Sequence, residues 1–210
     1  VSQRLAIQQE LGEMELRRGE HAMAKTHLKA WLEEASADSI GAKFLELRLE
    51  VYVQLSECYR AKGEPHKGIK VLQRALKQCA EVIDDRHSAR ICGLRARLRL
   101  QRKDEKRAIS LCLQGLQLLE GKEEVVAEQV LLLETMAEAH VARGETVAAI
   151  PHFTRLQEIV EEAGDLGKLA SVLSRIGRVY YDRGNYFRSA RFLFKALDET
   201  RRLQDMRGLS

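Results

Sequence analysis

The chain has 210 residues, with 35 Lys and Arg against 31 Asp and Glu, and a formal net charge of +4. This near balance identifies no charged class of partner, and no apolar stretch approaches the roughly 18–20 residues that cross a bilayer. Only 5% of the residues are aromatic and only 2 are Pro, a composition that favours helices over sheets. We therefore expect a helical protein without a membrane span.

Four cysteines, Cys58, Cys79, Cys92 and Cys112, have neither the C-x-x-C spacing nor a nearby His at a metal-ligand interval. We therefore predict free thiols, a reducing cytoplasmic location, and neither a metal nor a cofactor, with a disulfide pair as the alternative. No signal-peptide pattern precedes the first helical residues near Leu5. We expect this chain to be a piece of a longer signalling or regulatory protein.

In chain order, a break recurs at residues 19, 63, 103, 144 and 184, always Gly except for Lys103. Gly readily takes the left-handed conformation that ends a helix, so each break predicts two antiparallel helices. At Lys103 a non-Gly residue takes this place, at a cost of about 1 kcal/mol if the left-handed conformation is needed. A small side chain after each break would let the second helix lie close to the first; these residues are Ala24, Gly68, Ala108, Ala149 and Ala190.

Apolar residues within the units recur with the i, i+3, i+4, i+7 spacing of a helix, as at Leu169, Val172, Leu173 and Ile176. One hairpin cannot bury its apolar face alone, so stacked neighbours must share a core. The prediction is an all-α solenoid of about five helix hairpins in one array over residues 1–210. The approximate repeats are residues 5–38, 49–82, 89–120, 130–163 and 170–203.

The last unit reads Ile176-Gly177, Tyr180, Gly184, Ala190 and Phe194, and the second reads Leu55-Ser56, Tyr59, Gly63, Gly68 and Leu72. These motifs resemble the tetratricopeptide repeat (TPR), whose usual unit has 34 residues. The longer unit here resembles polarity adaptors of the Pins and LGN type and MalT-like bacterial regulators, as does the link at residues 163–165. The resemblance implies a right-handed superhelix that binds a protein or peptide and is not an enzyme.

In that family the first helix of each unit lines a concave groove. The resemblance places these residues in the groove: Gln9, Glu13, Arg17, Glu57, Arg60, Arg90, Arg97, Glu134, Glu138, Arg178 and Tyr181. Their charges suit a charged, extended or helical segment of a partner, because Arg can bind a carboxylate through two hydrogen bonds. Alternatively, they only solvate the inner helix face. The Lys and Asn residues with which chaperone-binding members hold a peptide carboxylate are absent.

Nine basic residues between 86 and 107 suggest a second function, namely binding to nucleic acid or an anionic surface. No aromatic residue is interleaved for base stacking, so a solvated face or a peptide-binding patch is favoured. A third alternative is a MalT-like sensor of a small ligand. Nucleotide-binding and catalytic motifs are absent, which supports a non-catalytic role.

Large aromatic residues are few, and Trp31, Phe153, Phe192 and Phe194 are predicted to pack between helices rather than to form a ligand cage. Phe192, Phe194 and Leu197 nevertheless look apolar for the last helix of an array. We therefore expect further repeats beyond them or self-association through the terminal repeats.

Overall fold

A computed structural model describes residues 3–35 and 42–208, which form ten α-helices, one short 3-10 helix and no strand. The helices pair as five consecutive hairpins. They are α1 (Gln3–Arg17) with α2 (His21–Glu34), α3 (Ala42–Ala61) with α4 (Pro65–Gln78), α5 (Asp85–Gln101) with α6 (Glu105–Leu118), α7 (Val126–Ala142) with α8 (Thr146–Glu162), and α9 (Leu166–Asp182) with α10 (Tyr186–Gly208). The prediction of an all-α array of five hairpins is confirmed.

All five predicted breaks form the same turn. Gly19, Gly63, Gly144 and Gly184 have φ between 69° and 77°, and Lys103 adopts the same left-handed conformation at 57°. In each turn the next backbone N–H donates to the carbonyl five residues earlier, at 2.8–3.0 Å. This bond closes the end of a helix in the Schellman motif, so the third unit turns as the others do.

The residue five positions after each break is buried against the first helix of its hairpin: Ala24, Gly68, Ala108, Ala149 and Ser189. The prediction of Ala190 in this role is wrong, because Ala190 lies six residues after Gly184 and is exposed. One residue rotates a side chain by about 100° around the helix axis, which carries Ala190 off the packed face.

The same shift applies to the aromatic residues of α10. Phe194 is 67% exposed, so the prediction that it packs between helices is wrong, and the inward position is that of Leu193. The other three aromatic predictions hold, since Trp31 and Phe153 are buried and Phe192 stacks on Tyr180 with centroids 5.5 Å apart.

The core continues from hairpin to hairpin, because the second helix of one packs on the first helix of the next. At the α2–α3 contact, Trp31 stacks on Phe44 with ring centroids 5.4 Å apart. At the α6–α7 contact, Gly115 lets the backbone of α6 approach so closely that an added Cβ would lie 2.6 Å from a methyl group of Leu132. The buried residues form two clusters, one over the first two hairpins and one over the last three, and both include side chains of α5.

The hairpins of units two to five begin upstream of the predicted starts at residues 49, 89, 130 and 170, because the repeat motif aligns inside the first helix rather than at its cap. The predicted end of the first repeat, at residue 38, lies outside the described residues. None of the described helices is both long and apolar enough to cross a membrane.

Candidate functional site

The first helices of the hairpins, α1, α3, α5, α7 and α9, follow one another side by side and form what we call the first-helix face. Its N-terminal half is linked by hydrogen bonds between helices. Gln54 in α3 donates to Glu13 in α1 at 3.2 Å, and Arg90 in α5 donates from both terminal nitrogens to the two carboxylate oxygens of Glu50 in α3 at 2.7 and 3.2 Å. Each pair joins two neighbouring first helices at similar heights along their axes. These hydrogen bonds therefore fix the arrangement of the hairpins along this face.

The C-terminal half of this face centres on Glu134 of α7, whose side chain is only 14% exposed. Arg97 of α5 lies 2.9 Å from one of its carboxylate oxygens, and Arg175 of α9 lies 3.1 Å from the other. Arg175 also donates to Glu138 at 2.5 Å. Two cations and two anions therefore alternate across three helices, and each charge limits the freedom of the next.

A polar cleft lies over these pairs, with a volume of about 430 Å³. It is open to Arg60 and Gln101, and the Gln101 amide donates to the backbone carbonyl of Arg60 at 3.0 Å. Arg60 is half-exposed and pairs with Glu57 of its own helix at 2.7 Å. Its guanidinium can therefore exchange this partner for a ligand carboxylate at little cost, since exposed ion pairs contribute at most about 1 kcal/mol.

An apolar cleft of about 310 Å³ adjoins it between α7 and α9. Its floor is formed by Phe153 of α8 with Val141, Ala142 and Val179. The rim is charged, and Arg178 and Asp182 on it make no hydrogen bond or ion pair with the described residues. The two clefts share Glu138 and Arg175, so together they form one continuous depression over α3, α5, α7 and α9.

The structure brings most of the predicted site residues together in two groups. The residues at the clefts are Arg60, Arg97, Glu134, Glu138 and Arg178. Gln9 and Glu13 bond to each other at 3.1 Å at the N-terminal end of the face, and Glu57 and Arg90 are held in the ion pairs described above. Arg17 is exposed and makes no cross-helix contact with described residues, and Tyr181 stands at the C-terminal edge against Tyr186.

Sequence reasoning missed two contributors, Gln54 and Arg175. Each lies two residues before the small residue of its helix, which is Ser56 for Gln54 and Gly177 for Arg175. Each donates to an acid of the preceding hairpin, Glu13 or Glu138, that directly follows the small residue there. The repeat alignment contains this signal, because equivalent positions of a solenoid face the same neighbour.

The basic segment at residues 86–107 is divided by ion pairs. Arg86 binds Glu128, Arg90 binds Glu50 and Arg97 binds Glu134, while Arg99 and Arg107 share Asp104. Five of the nine cations are thus paired within the protein, and the pairs point toward different neighbours. These pairs reduce the number of cations that are available to a phosphate backbone.

The four cysteine side chains are buried or half-buried. Burial raises the pKa of Cys58 to about 11 and that of Cys112 to about 12, so both thiols stay protonated at neutral pH. All four cysteines are free thiols. Within the described ranges no group of three or more His, Cys, Asp or Glu side chains could hold a metal ion.

His140 occupies the aromatic position of the repeat and stacks on His152 with ring centroids 5.4 Å apart. Its Nδ1 lies 2.8 Å from Glu145, and this hydrogen bond is the main reason why the pKa of Glu145 is lowered, with a smaller contribution from Arg143. Burial, and next the charge of His140, lower the pKa of His152. Within this stack, burial therefore disfavours the protonated form of His152.

No family model matches the chain, and no curated protein matches its sequence. Several solved structures match its fold. Aspartyl phosphate phosphatase F from Bacillus subtilis superposes with a TM-score of 0.82 at 17% identity, over 96% of this chain and 52% of that one. The TPR-like repeats of a putative kinesin light chain from Podosopora anserina give 0.70 at 16% identity, over 96% and 97%.

A third similar structure is a signal transduction ATPase with numerous domains from Pyrococcus horikoshii, described as having a tetratricopeptide repeat sensor. It superposes with a TM-score of 0.75 at 14% identity, over 95% of this chain and 30% of that one. Identities this low establish the fold and nothing more. The chain is a TPR-like helical solenoid.

Proposed function

We propose that this chain is a non-catalytic scaffold that binds a segment of a partner protein along its first-helix face. The observation that carries the proposal is the continuous depression in which an apolar cleft adjoins a polar one. Protein-recognition sites combine an apolar anchor pocket with a polar rim in this way. The fold supports the same conclusion, since the surface is shaped by stacked hairpins before a ligand arrives.

The chemistry of the depression supports one class of ligand. The apolar floor around Phe153 and Val179 takes one large apolar side chain. Arg178 beside it and Arg60 at the far end are the two cations lining the depression whose side chains do not bind a neighbouring hairpin, so they favour carboxylates on either side of the anchor. The preferred segment is therefore extended or helical, with an apolar residue flanked by acidic ones.

A display selection of random peptides against the whole chain tests this proposal. The recovered peptides should carry an apolar residue with acidic neighbours, and Arg178→Glu should weaken their binding at least tenfold. Arg155→Glu on the second helix α8 is the matched control, because Arg155 is exposed and pairs with Glu158 of its own helix. Equal binding by the two variants would contradict the assignment of the face.

A regulatory role as the sensing segment of a larger protein is compatible with this surface, and a neighbour of this fold has repeats described as a sensor. The small-ligand alternative draws on the apolar cleft, whose volume lies at the lower end of the range of about 300–1,000 Å³ for ligand pockets. A thermal-shift screen with metabolites tests it. Nucleic-acid binding has weaker support because of the ion pairs of residues 86–107, and steeply salt-dependent binding of RNA or DNA would restore it.

A second proposed partner is another copy of the chain, bound through the terminal hairpins. Large apolar side chains are exposed at both ends of the array, among them Ile7 and Met14 in α1 and Phe187 and Phe194 in α10. Exposed apolar surface of this kind marks an interaction site.

A further inference from the structure

The first helix of the array exposes two apolar positions that every other first helix buries. These positions lie seven residues apart, on one face of the helix. In α3, α5, α7 and α9 all eight side chains at these positions are at most 3% exposed: Val51, Cys58, Ile91, Leu98, Leu132, Ala139, Val172 and Val179. Their equivalents in α1 are Ile7 and Met14, which are 56% and 45% exposed. We call these two residues the leading face.

The last helix exposes the opposite half of the same contact. Leu28, Leu72, Cys112 and Phe153 occupy one position of the second helices that have a further hairpin after them, and each is at most 2% exposed. The equivalent residue of α10 is Leu193, which is 44% exposed, and Ala190 and Leu197 beside it are also exposed. We call Ala190, Leu193 and Leu197 the trailing face. Phe187 and Phe194 flank it and widen the apolar surface.

The α2–α3 contact shows how such faces meet. Lys25, early in α2, lies over the ring of Tyr59, late in α3, while Trp31, late in α2, stacks on Phe44, early in α3. The two helices are therefore antiparallel. The same arrangement between two copies would lay the first half of α10 against the second half of α1.

The charges of these two segments are opposite. Residues 186–195 of α10 carry three cations, Arg188, Arg191 and Lys195, and no acid. Residues 10–17, the second half of α1, carry three acids, Glu10, Glu13 and Glu15, and one cation, Arg17. Antiparallel packing brings the two segments together, so the electrostatic term favours contact between a trailing and a leading face over contact between two faces of one kind.

We infer that the chain stacks head to tail, with the trailing face of one copy packed on the leading face of the next. The inference rests on the proposed self-association and specifies its geometry. Such a stack keeps a free leading face at one end and a free trailing face at the other, so the contact is heterologous and the assembly grows along the solenoid axis. The contact between two copies would repeat the packing that already joins the five hairpins within one chain.

Two variants of the whole chain test this geometry. One carries Ile7→Glu and Met14→Glu and blocks the leading face, while the other carries Ala190→Glu and Leu197→Glu and blocks the trailing face. All four side chains are exposed, so the hairpins should still fold, which circular dichroism and thermal melting would verify. Leu113→Glu in α6 is the control, because Leu113 is 50% exposed at the position equivalent to Phe194 but lies in the middle of the array.

Sedimentation velocity would show wild type and Leu113→Glu growing beyond a dimer with concentration, whereas each blocked variant alone stays monomeric. An equal mixture of the two blocked variants should form a dimer, doubling the mass, because one free leading face meets one free trailing face. Dimers of a blocked variant alone would overturn the head-to-tail geometry while retaining self-association. A wild-type chain that is monomeric at all concentrations would overturn both and assign these faces to other hairpins or to a different partner.

Discussion

Arg97 and Glu134 join consecutive hairpins through a hydrogen bond of 2.9 Å between the guanidinium of α5 and the carboxylate of α7. Glu134 is the less exposed partner and also receives Arg175 from the opposite side. The bond therefore belongs to a chain of charges that spans three helices beneath the polar cleft. Removal of the Glu134 carboxylate should therefore lower the free energy of unfolding more than removal of any exposed charge.

We expect Glu134→Gln to lower the free energy of unfolding by about 1 kcal/mol, because two guanidinium groups lose a shared and largely shielded anion. Urea denaturation would measure the change. Glu158→Gln is the matched control, since its pair with Arg155 in α8 has the same 2.9 Å separation but both side chains are more than half exposed. Equal effects of the two substitutions would show that the charge network contributes no more to the free energy of unfolding than a surface ion pair does.

Lys103→Gly should raise the free energy of unfolding by about 0.5–1 kcal/mol, because a non-Gly residue pays a steric cost at φ 57° that Gly avoids. The reverse substitution, Gly144→Lys, should lower it by a similar amount at the equivalent turn of the fourth unit. Thermal or urea unfolding of both variants gives the comparison. A neutral or destabilising Lys103→Gly would mean that the Lys103 side chain stabilises the turn in another way.

Gly115→Ala should lower the free energy of unfolding by about 1–3 kcal/mol, the usual range for overpacking a tight contact. The new Cβ would lie 2.6 Å from a methyl group of the fully buried Leu132, which has little room to move. Gly167→Ala is the control, because its nearest neighbours would be 3.6 Å away in ordinary van der Waals contact. Its stability should change by less than about 0.5 kcal/mol.

Stability should fall as the pH drops below about 6.5, the ordinary pKa of His152, because burial lowers the pKa of this residue in the folded protein. The unfolded chain then binds a proton that the folded chain binds only at lower pH, so protonation favours unfolding until the folded pKa is passed. The charge of neighbouring His140 also lowers the pKa of His152. The pKa of Glu145, which binds His140, is lowered from 4.5, so protonation of Glu145 affects stability only below about pH 4.5.

Thermal melting of His152→Gln between pH 7 and pH 5 checks this effect. The variant should lose less stability over this interval than wild type does, whereas His66→Gln at an exposed site of α4 should follow the wild-type curve. Parallel curves for all three proteins would assign the acid sensitivity to other groups.

The repeat pattern was sufficient to predict the five hairpins and their turns, because Gly at a helix end and the apolar spacing are local properties of the chain. It was insufficient at α10, where Ala190 resembles the small residue of the motif but Ser189 has the buried position. A shift of one residue can be recognised only from the position relative to Gly184, not from residue type.

At the candidate site, too, the position of a residue on its helix could be predicted, whereas its contacts between hairpins could not. The family alignment placed Arg97, Glu134 and Glu138 on one face, yet it did not indicate that they bind one another through Arg175. Cross-helix pairing depends on the distance and rotation between hairpins, which the periodicity of a single helix does not specify. The apolar cleft between α7 and α9 was missed for this reason, since its lining comes from three helices.

The most direct test of the binding face is photo-crosslinking of a display-selected peptide to chains that carry a photoreactive amino acid at one position. Gln101 lines the polar cleft on the first-helix face, and Leu113 is an equally accessible residue on the second helix α6. We expect the peptide to crosslink from position 101 and not from position 113. Crosslinks from position 113 alone would place the ligand on the outer helices and contradict the proposed function.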